Sequence, residues 1–159
     1  MKTISLLQPW ASLVVLGYKK IETRSWNTKF RGEILIHASK KCNNELYETI
    51  IDIKADKCLS DSGFHLTKIK NGIIETNLPL GAIIGKVTIT GTFQFTEEFN
   101  DFMKNSNSDN ERELAFGDFT PGRFGWQLSD PVAFQTPIPA KGQLGIWNYE
   151  FPLCDMLRV

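Results

Sequence analysis

The sequence predicts an α+β domain built on a curved sheet or small barrel with flanking helices. Three observations carry that expectation: several short β-branched runs, a few helical stretches between them, and glycine turns at frequent intervals. At 159 residues the chain suits a single domain over 1–159, large enough for a core without staples. No internal repeat is visible and no linker divides it.

Taken in order, residues 2–7 (Lys-Thr-Ile-Ser-Leu-Leu) read as a first strand. Pro9 suits the first turn of the next helix, where its missing N–H removes no hydrogen bond. That helix runs through Trp10, Leu13, Val14, Val15 and Leu16. Gly17 is placed to stop it, since glycine tolerates the left-handed backbone of a helix end. Lys19 and Lys20 follow, where the helix dipole favours cations. Residues 20–26 alternate and read as a strand, 29–32 as a turn, and 33–39 as a buried strand. Leu46, Ile50 and Ile53 form one stripe at helical spacing over 43–59. Residues 60–77 carry little pattern beyond a short strand at Ile73-Ile74. The clearest strand runs from Ala82 to Phe95, with Gly85 and Gly91 as points for bulges or tight curvature.

Residues 96–115 are polar, and read as one helical turn around Glu98–Met103 followed by a flexible loop from Asn105 to Asn110. Phe116 to Arg123 packs two glycines, a proline and two aromatics into a tight turn. A strand from Phe124 to Leu128 follows it. Pro131 and Pro137 to Pro139 punctuate another strand at Val132–Phe134, and Leu144 to Tyr149 is the last.

Composition narrows the function classes. Lys+Arg 18 and Asp+Glu 18 cancel, so no global field draws the chain to nucleic acid or anionic membrane, and any such contact needs a local patch. Aromatic content of 11% exceeds what a packed domain needs and suits stacking surfaces, although core filling explains most aromatics. Cys42, Cys58 and Cys154 have no paired spacing and read as reduced thiols of a cytoplasmic protein. Two histidines and three scattered cysteines offer no metal-ligand spacing. The start of the chain does not read as a signal peptide, and no apolar run is long enough to span a bilayer.

Residues 17–37 are the most informative stretch. Lys19, Lys20, Glu22, Thr23 and Arg24 crowd together beside Trp26 and lead into an almost wholly apolar strand. Charges bordered by core suggest a polar pocket. Ionised Glu22 is an acceptor-only group able to receive a base amine, held ionised by Lys19 or Arg24. The bland alternative is a Lys–Glu–Arg network on a solvated strand. Thr23 as nucleophile needs a desolvated lysine as base, whereas most strand threonines simply fill the strand. His37, in an apolar strand, reads as a core histidine bonded to backbone, with catalysis a minority option and His65 lower still. Arg123 could reach a phosphate or stack on a base. Trp26 and Trp126 are candidate stacking faces, with core packing the alternative for Trp126 and the accepted reading for Trp147. Lys40, Lys41, Lys54, Lys57, Lys68 and Lys70 could form a phosphate-tracking face.

The pattern Gly17-x-Lys19-x-x-Glu22-x-Arg24-x-Trp26, followed by Arg31-Gly32 and Ile36-His37-Ala38, resembles the signature of ASCH domains (activating signal cointegrator homology). Three later stretches are similar to the family too: Leu78-Pro79-x-Gly81-Ala82, Phe116-Gly117-Asp118 through Pro121-Gly122-Arg123 to Trp126, and Lys141-Gly142-x-Leu144-Gly145-x-Trp147. The resemblance covers nearly the whole chain except 43–77 and 96–112. It implies a PUA-like β-barrel, related to domains that bind RNA or modified nucleobases, with RNA or a modified nucleoside as partner and no cofactor. One branch of the family hydrolyses the acetyl amide of N4-acetylcytidine with a Thr, a Lys and a Glu. Its Lys-x-x-Thr spacing exists here as Lys20 to Thr23, but aligning Gly17 and Arg24 without a gap keeps Lys19 in place and puts Glu22 at the threonine position. The two registers exclude each other, because a one-residue slip sends strand side chains to opposite faces. The ungapped register keeps Lys19, Glu22 and Arg24 aligned and is favoured. Two classes follow: a binding module for RNA or a nucleoside, and a small hydrolase of N4-acylated cytidine or of RNA. An interaction domain with a vestigial pocket is a third.

Overall fold

The computed structural model describes residues 1–41, 50, 55–68 and 74–151, with the side chains of 66–68 and 74 left aside. Its elements in chain order are β1 (Lys2–Leu6), α1 (Trp10–Val15), β2 (Ile21–Arg24), β3 (Gly32–Ala38), α2 (Asp56–Asp61), β4 (Leu66–Lys68), β5 (Ile74–Thr76), β6 (Ala82–Gln94), α3 (Glu97–Lys104), α4 (Ser108–Ala115), β7 (Phe124–Pro139) and β8 (Ile146–Asn148). Six strands form one curved sheet in the order β2-β7-β6-β3-β1-β8, and β4 pairs with β5 alone. Only β1–β3 pair in parallel; β2–β7, β7–β6, β6–β3 and β1–β8 are antiparallel. The α+β expectation holds, and the barrel is a half-barrel: β2 and β8 are its two edges and do not pair with each other.

The long strands β6 and β7 curve because their ladder slips three times, at Ile83/Gly85, Lys86/Thr88 and Ile89/Gly91. Both glycines singled out in the sequence sit at such slips, where an extra residue bends a strand. Helix α1 is apolar all round and sits centrally. Ala11, Val14 and Val15 join Ile4, Leu6, Ile34, Ile36, Val87, Ile89 and Trp126 in the main core. Leu13 instead joins Ile50, Cys58, Leu59, Leu78 and Phe116. The opposite face of the sheet buries Leu35, Ile83 and Ile138. Much of the aromatic surplus packs against itself, as in the cluster of Phe93, Phe95, Phe99 and Phe119.

Two expectations need correction. The polar stretch from Asn105 to Asn110 is not simply a loop: α4 begins at Ser108, capped by Asn107 Oδ1, which accepts the Asn110 N–H at 2.9 Å. No apolar stripe announced this helix because its buried residue is an acid, Glu113. The proline-punctuated region after Leu128 is not a separate strand but the continuation of β7. Pro131 is accommodated beside Asp130, whose φ of 50° marks the irregularity, and prolines are tolerated where a ladder is already broken. The last strand is also shorter than expected, Ile146–Asn148.

Of the helix expected over 43–59, residues 43–49 and 51–54 lie outside the described residues, as do Cys42, Cys154 and Lys70. No helix among the described residues is long and apolar enough to cross a membrane.

Candidate functional site

The end of α1 builds the site. Gly17, with φ 79°, takes the left-handed position after the helix; its N–H donates to Val14 O at 3.1 Å and that of Tyr18 to Leu13 O at 2.9 Å. This paired closure satisfies the last carbonyls and reverses the chain sharply. A further bond from Lys19 N–H to Leu13 O, at 3.0 Å, tucks Lys19 inward. Its side chain is 2% exposed. Nζ donates to Ile21 O at 2.5 Å and lies 4.0 Å from Glu113 Oε1. Burial pushes the Lys19 pKa down; the carboxylates of Glu22 and Glu113 oppose that shift and Arg24 adds to it.

Glu113 fixes the start of β2 from the far side. Its Oε2 accepts the Lys20 N–H at 2.8 Å and its Oε1 the Ile21 N–H at 2.9 Å. One buried side chain thus serves as the acceptor for two backbone donors and as a counter-charge for Lys19. Sequence reading missed it, since nothing local separates Glu113 from the exposed Glu111 two residues earlier.

Among the described residues, strand β2 pairs with β7 on one edge and with no strand on the other. Glu22 Oε1 lies 3.0 Å from Arg24 Nε, a close ion pair rather than an aligned hydrogen bond. Arg24 Nη2 donates to Ser5 O at 3.3 Å and so links β2 to β1 across the open side of the half-barrel. Thr23 Oγ1 accepts the Asp118 N–H at 3.1 Å. A Cβ at Gly117 would fall 2.6 Å from Thr23 Cγ2 and 3.1 Å from Lys19 Nζ, so only glycine lets this turn close on both. Hydrogen bonds from Thr120 hold the Asp118 carboxyl below the usual range, and the Arg123 guanidinium, 3.2 Å away, adds to that.

A cavity of about 540 Å³ opens among these groups, with Glu113 behind its wall. Of the residues expected from sequence, Lys19, Glu22, Thr23, Arg24 and Arg123 border it, joined by Trp10, Ser5, Gly117 and Asp118. Neighbouring residues of β2 share one cavity because it opens at the strand's unpaired edge, within reach of both faces. Lys20 lies elsewhere, in a small cleft with Gly17, Ser129 and Pro131. Trp126 is 1% exposed within the main core, and Trp26 packs edge-on against it with ring centroids 4.7 Å apart. Neither tryptophan borders the cavity. Burial leaves Trp126 no face for a base, a correction to its reading as a stacking platform. From sequence, Gly117 and Asp118 stand out only as part of a glycine turn and Trp10 only as a helix residue.

The cavity therefore offers two carboxylates, Glu22 and Asp118, each paired with a guanidinium, a desolvated amine and the Thr23 hydroxyl. Among the described residues, no group of three His, Cys, Asp or Glu side chains is placed to hold a metal ion.

The ASCH domain family model matches residues 4–126. Activating signal cointegrator 1 from Mus musculus and from Homo sapiens are each 27% identical to this chain over 150 residues. The match takes in 92% of this chain but 22% of each relative, so the chain spans about a fifth of their length. Among solved structures, ASCH from Zymomonas mobilis is 17% identical, covering 87% of this chain and 72% of that one at a TM-score of 0.49. A point mutant of the same protein is 16% identical at a TM-score of 0.46. With the family signature spread over most of its length, this chain belongs to the ASCH domain family.

Proposed function

We propose that the cavity binds a nucleobase, carried by RNA or by a free nucleoside. Glu22 accepts an N–H from the base edge, as a cytosine-type exocyclic amine would supply, and Arg24 and Arg123 engage ribose or phosphate oxygens. Trp10 provides an apolar wall. The observation that carries the reading is Glu22 itself. It is 8% exposed, it borders the cavity, and Arg24 engages Oε1 while no hydrogen bond among the described residues engages Oε2. A nearly buried carboxylate with one oxygen free is a strong acceptor in a low-dielectric site. The likeness of the ASCH signature to nucleobase-binding folds supports the same reading.

Glu22→Gln tests it. A hydrogen bond to a charged group contributes roughly 1.5–3 kcal/mol, so cytidine affinity by calorimetry should fall about 10–100-fold. The melting temperature should fall by a few degrees, because buried Lys19 loses one of its two counter-charges, but the fold should hold, since Arg24 keeps Ser5 O and Lys19 keeps Ile21 O and Glu113. Unchanged affinity per folded molecule would make Glu22 structural and end the proposal.

A second reading, hydrolysis of an N4-acylated cytidine, rests on a different observation: the Thr23 side chain, through Cγ2, and Lys19 Nζ both border the bare face of Gly117. In this scheme neutral Lys19 takes the Thr23 hydroxyl proton as the oxygen attacks the acyl carbonyl. The C–N bond then breaks, and cytidine leaves with the proton Lys19 returns. Water cleaves the acyl-threonine ester to release the acid and restore Thr23. Alternatively, Glu22 activates water directly and Thr23 takes no covalent part. Incubation with N4-acetylcytidine, followed by chromatography for cytidine, decides between enzyme and binder. Thr23→Val should abolish turnover if Thr23 is the nucleophile and spare most of it if Glu22 is the base. Release of RNA fragments, lost on Lys19→Ala, would instead identify a ribonuclease; binding with no product leaves the binding module.

A further inference from the structure

A second cavity of about 870 Å³ adjoins the first, and Ser5 borders both. On one side the Ser5 carbonyl accepts from Arg24. On the other its hydroxyl oxygen accepts the Trp147 indole N–H at 3.2 Å, leaving the O–H to donate. Strand β8 reaches only as far along β1 as Ile4, so the β1 edge is uncovered at Ser5, between the two cavities.

The floor of the second cavity is a built polar surface. His37, 1% exposed, places Nε2 3.0 Å from Ala140 O. A carbonyl only accepts, so Nε2 carries the hydrogen and Nδ1 is left as an acceptor, with no partner among the described residues. Burial keeps this imidazole neutral by pushing its pKa down. Bare backbone at Gly142 lies over both groups: a Cβ there would fall 2.8 Å from His37 Nδ1 and 2.9 Å from Ser5 Oγ. An acceptor and a donor thus sit side by side beneath glycine. At the rim stand exposed Lys40 and Lys141, and Leu144, 99% exposed, offers apolar surface.

We propose that this second cavity takes the nucleotide adjoining the one held at Glu22, so that the ligand is a single strand and not a free nucleoside. The half-buried Ser5 hydroxyl, at the junction of the two cavities, meets the polar edge of the second base, Leu144 packs against its face, Lys40 and Lys141 engage the phosphate, and His37 supports the floor beneath Gly142. The inference rests on the first cavity being a nucleobase site, and its test separates the two.

Cytidine and tricytidylate are titrated against the wild-type domain, Glu22→Gln, Lys141→Glu and Gly142→Ala, with folding checked by circular dichroism. Tricytidylate should bind at least about tenfold tighter than cytidine, the gain expected from one further stacked base. Lys141→Glu, an exposed substitution, should remove most of that gain and leave cytidine binding unchanged. It should also flatten the salt dependence by about 0.7 in log–log slope, the share of one phosphate on a single strand. Gly142→Ala should act in the same direction. Equal affinity for the two probes, or a gain untouched by both loop variants, overturns the inference. If Glu22→Gln still weakens cytidine in that case, the first site stands alone. A tricytidylate gain that falls with Lys141→Glu while Glu22→Gln changes nothing supports the second site and removes the first.

Discussion

Glu113→Ala should lower stability by about 3 kcal/mol, because it strips two backbone donors of their acceptor. The Lys20 and Ile21 N–H groups both end on this carboxylate, and an unsatisfied buried donor costs about 1–3 kcal/mol. Lys19 loses a counter-charge in the same step, which further disfavours its buried ammonium. For a domain of this size the loss corresponds to a melting temperature about 6–12 °C lower, readable by thermal denaturation. Glu113→Gln should recover only part of it, because an amide replaces one acceptor oxygen with a donor facing a backbone donor. Ligand affinity should fall with stability, since the start of β2 carries Glu22 into the cavity. A melting temperature within about 2 °C of wild type would mean that water or the relaxed backbone satisfies both N–H groups, and that the helix Ser108–Ala115 does not hold the site.

Lys19→Met should have the opposite signature. Replacing a buried ion with an apolar side chain of similar volume is often neutral or stabilising by about 1–4 kcal/mol. Both acids near Lys19 keep another partner: Glu22 has Arg24, and Glu113 has two backbone N–H groups. The hydrogen bond to Ile21 O is lost, worth about 1 kcal/mol. Stability should therefore stay within about 1 kcal/mol of wild type or rise. Function should fall: Lys19 borders the cavity and its charge faces Glu22, so cytidine affinity should drop about tenfold, and turnover of N4-acetylcytidine, if Lys19 is its base, by about 100-fold or more. A variant that melts well below wild type would make Lys19 a structural ion. One that melts normally and binds normally would leave the cavity without its amine and the proposal without support.

The two variants together separate scaffold from chemistry. Glu113 acts by positioning and should move melting and binding together. Lys19 borders the ligand space and should move binding alone.

Legibility in the sequence followed signal strength. Helix α1 and strand β6 were readable because an apolar run bounded by Pro9 and Gly17, and a long β-branched run, leave few alternatives. Helix α4 and the full length of β7 were not. The first buries an acid in place of an apolar stripe, and the second runs through prolines at positions that only its partner's bulges make tolerable. At the site, Lys19, Glu22, Thr23 and Arg24 were readable because they are contiguous. Which of Lys19 and Lys20 borders the cavity was not readable, because it depends on the backbone at Gly17, which tucks Lys19 under the helix end and leaves Lys20 outside.

By itself the sequence determined the kind of domain, its family signature and a cluster of polar side chains near its beginning, because periodicity, turn residues and contiguity are local properties. The tertiary structure alone decided which of those side chains are sheltered and what holds them. Ser5 and Asp118 reach the cavity from distant parts of the chain, Glu113 braces β2 from behind it, and hydrogen bonds spanning 93 and 95 residues cannot be read from neighbouring letters.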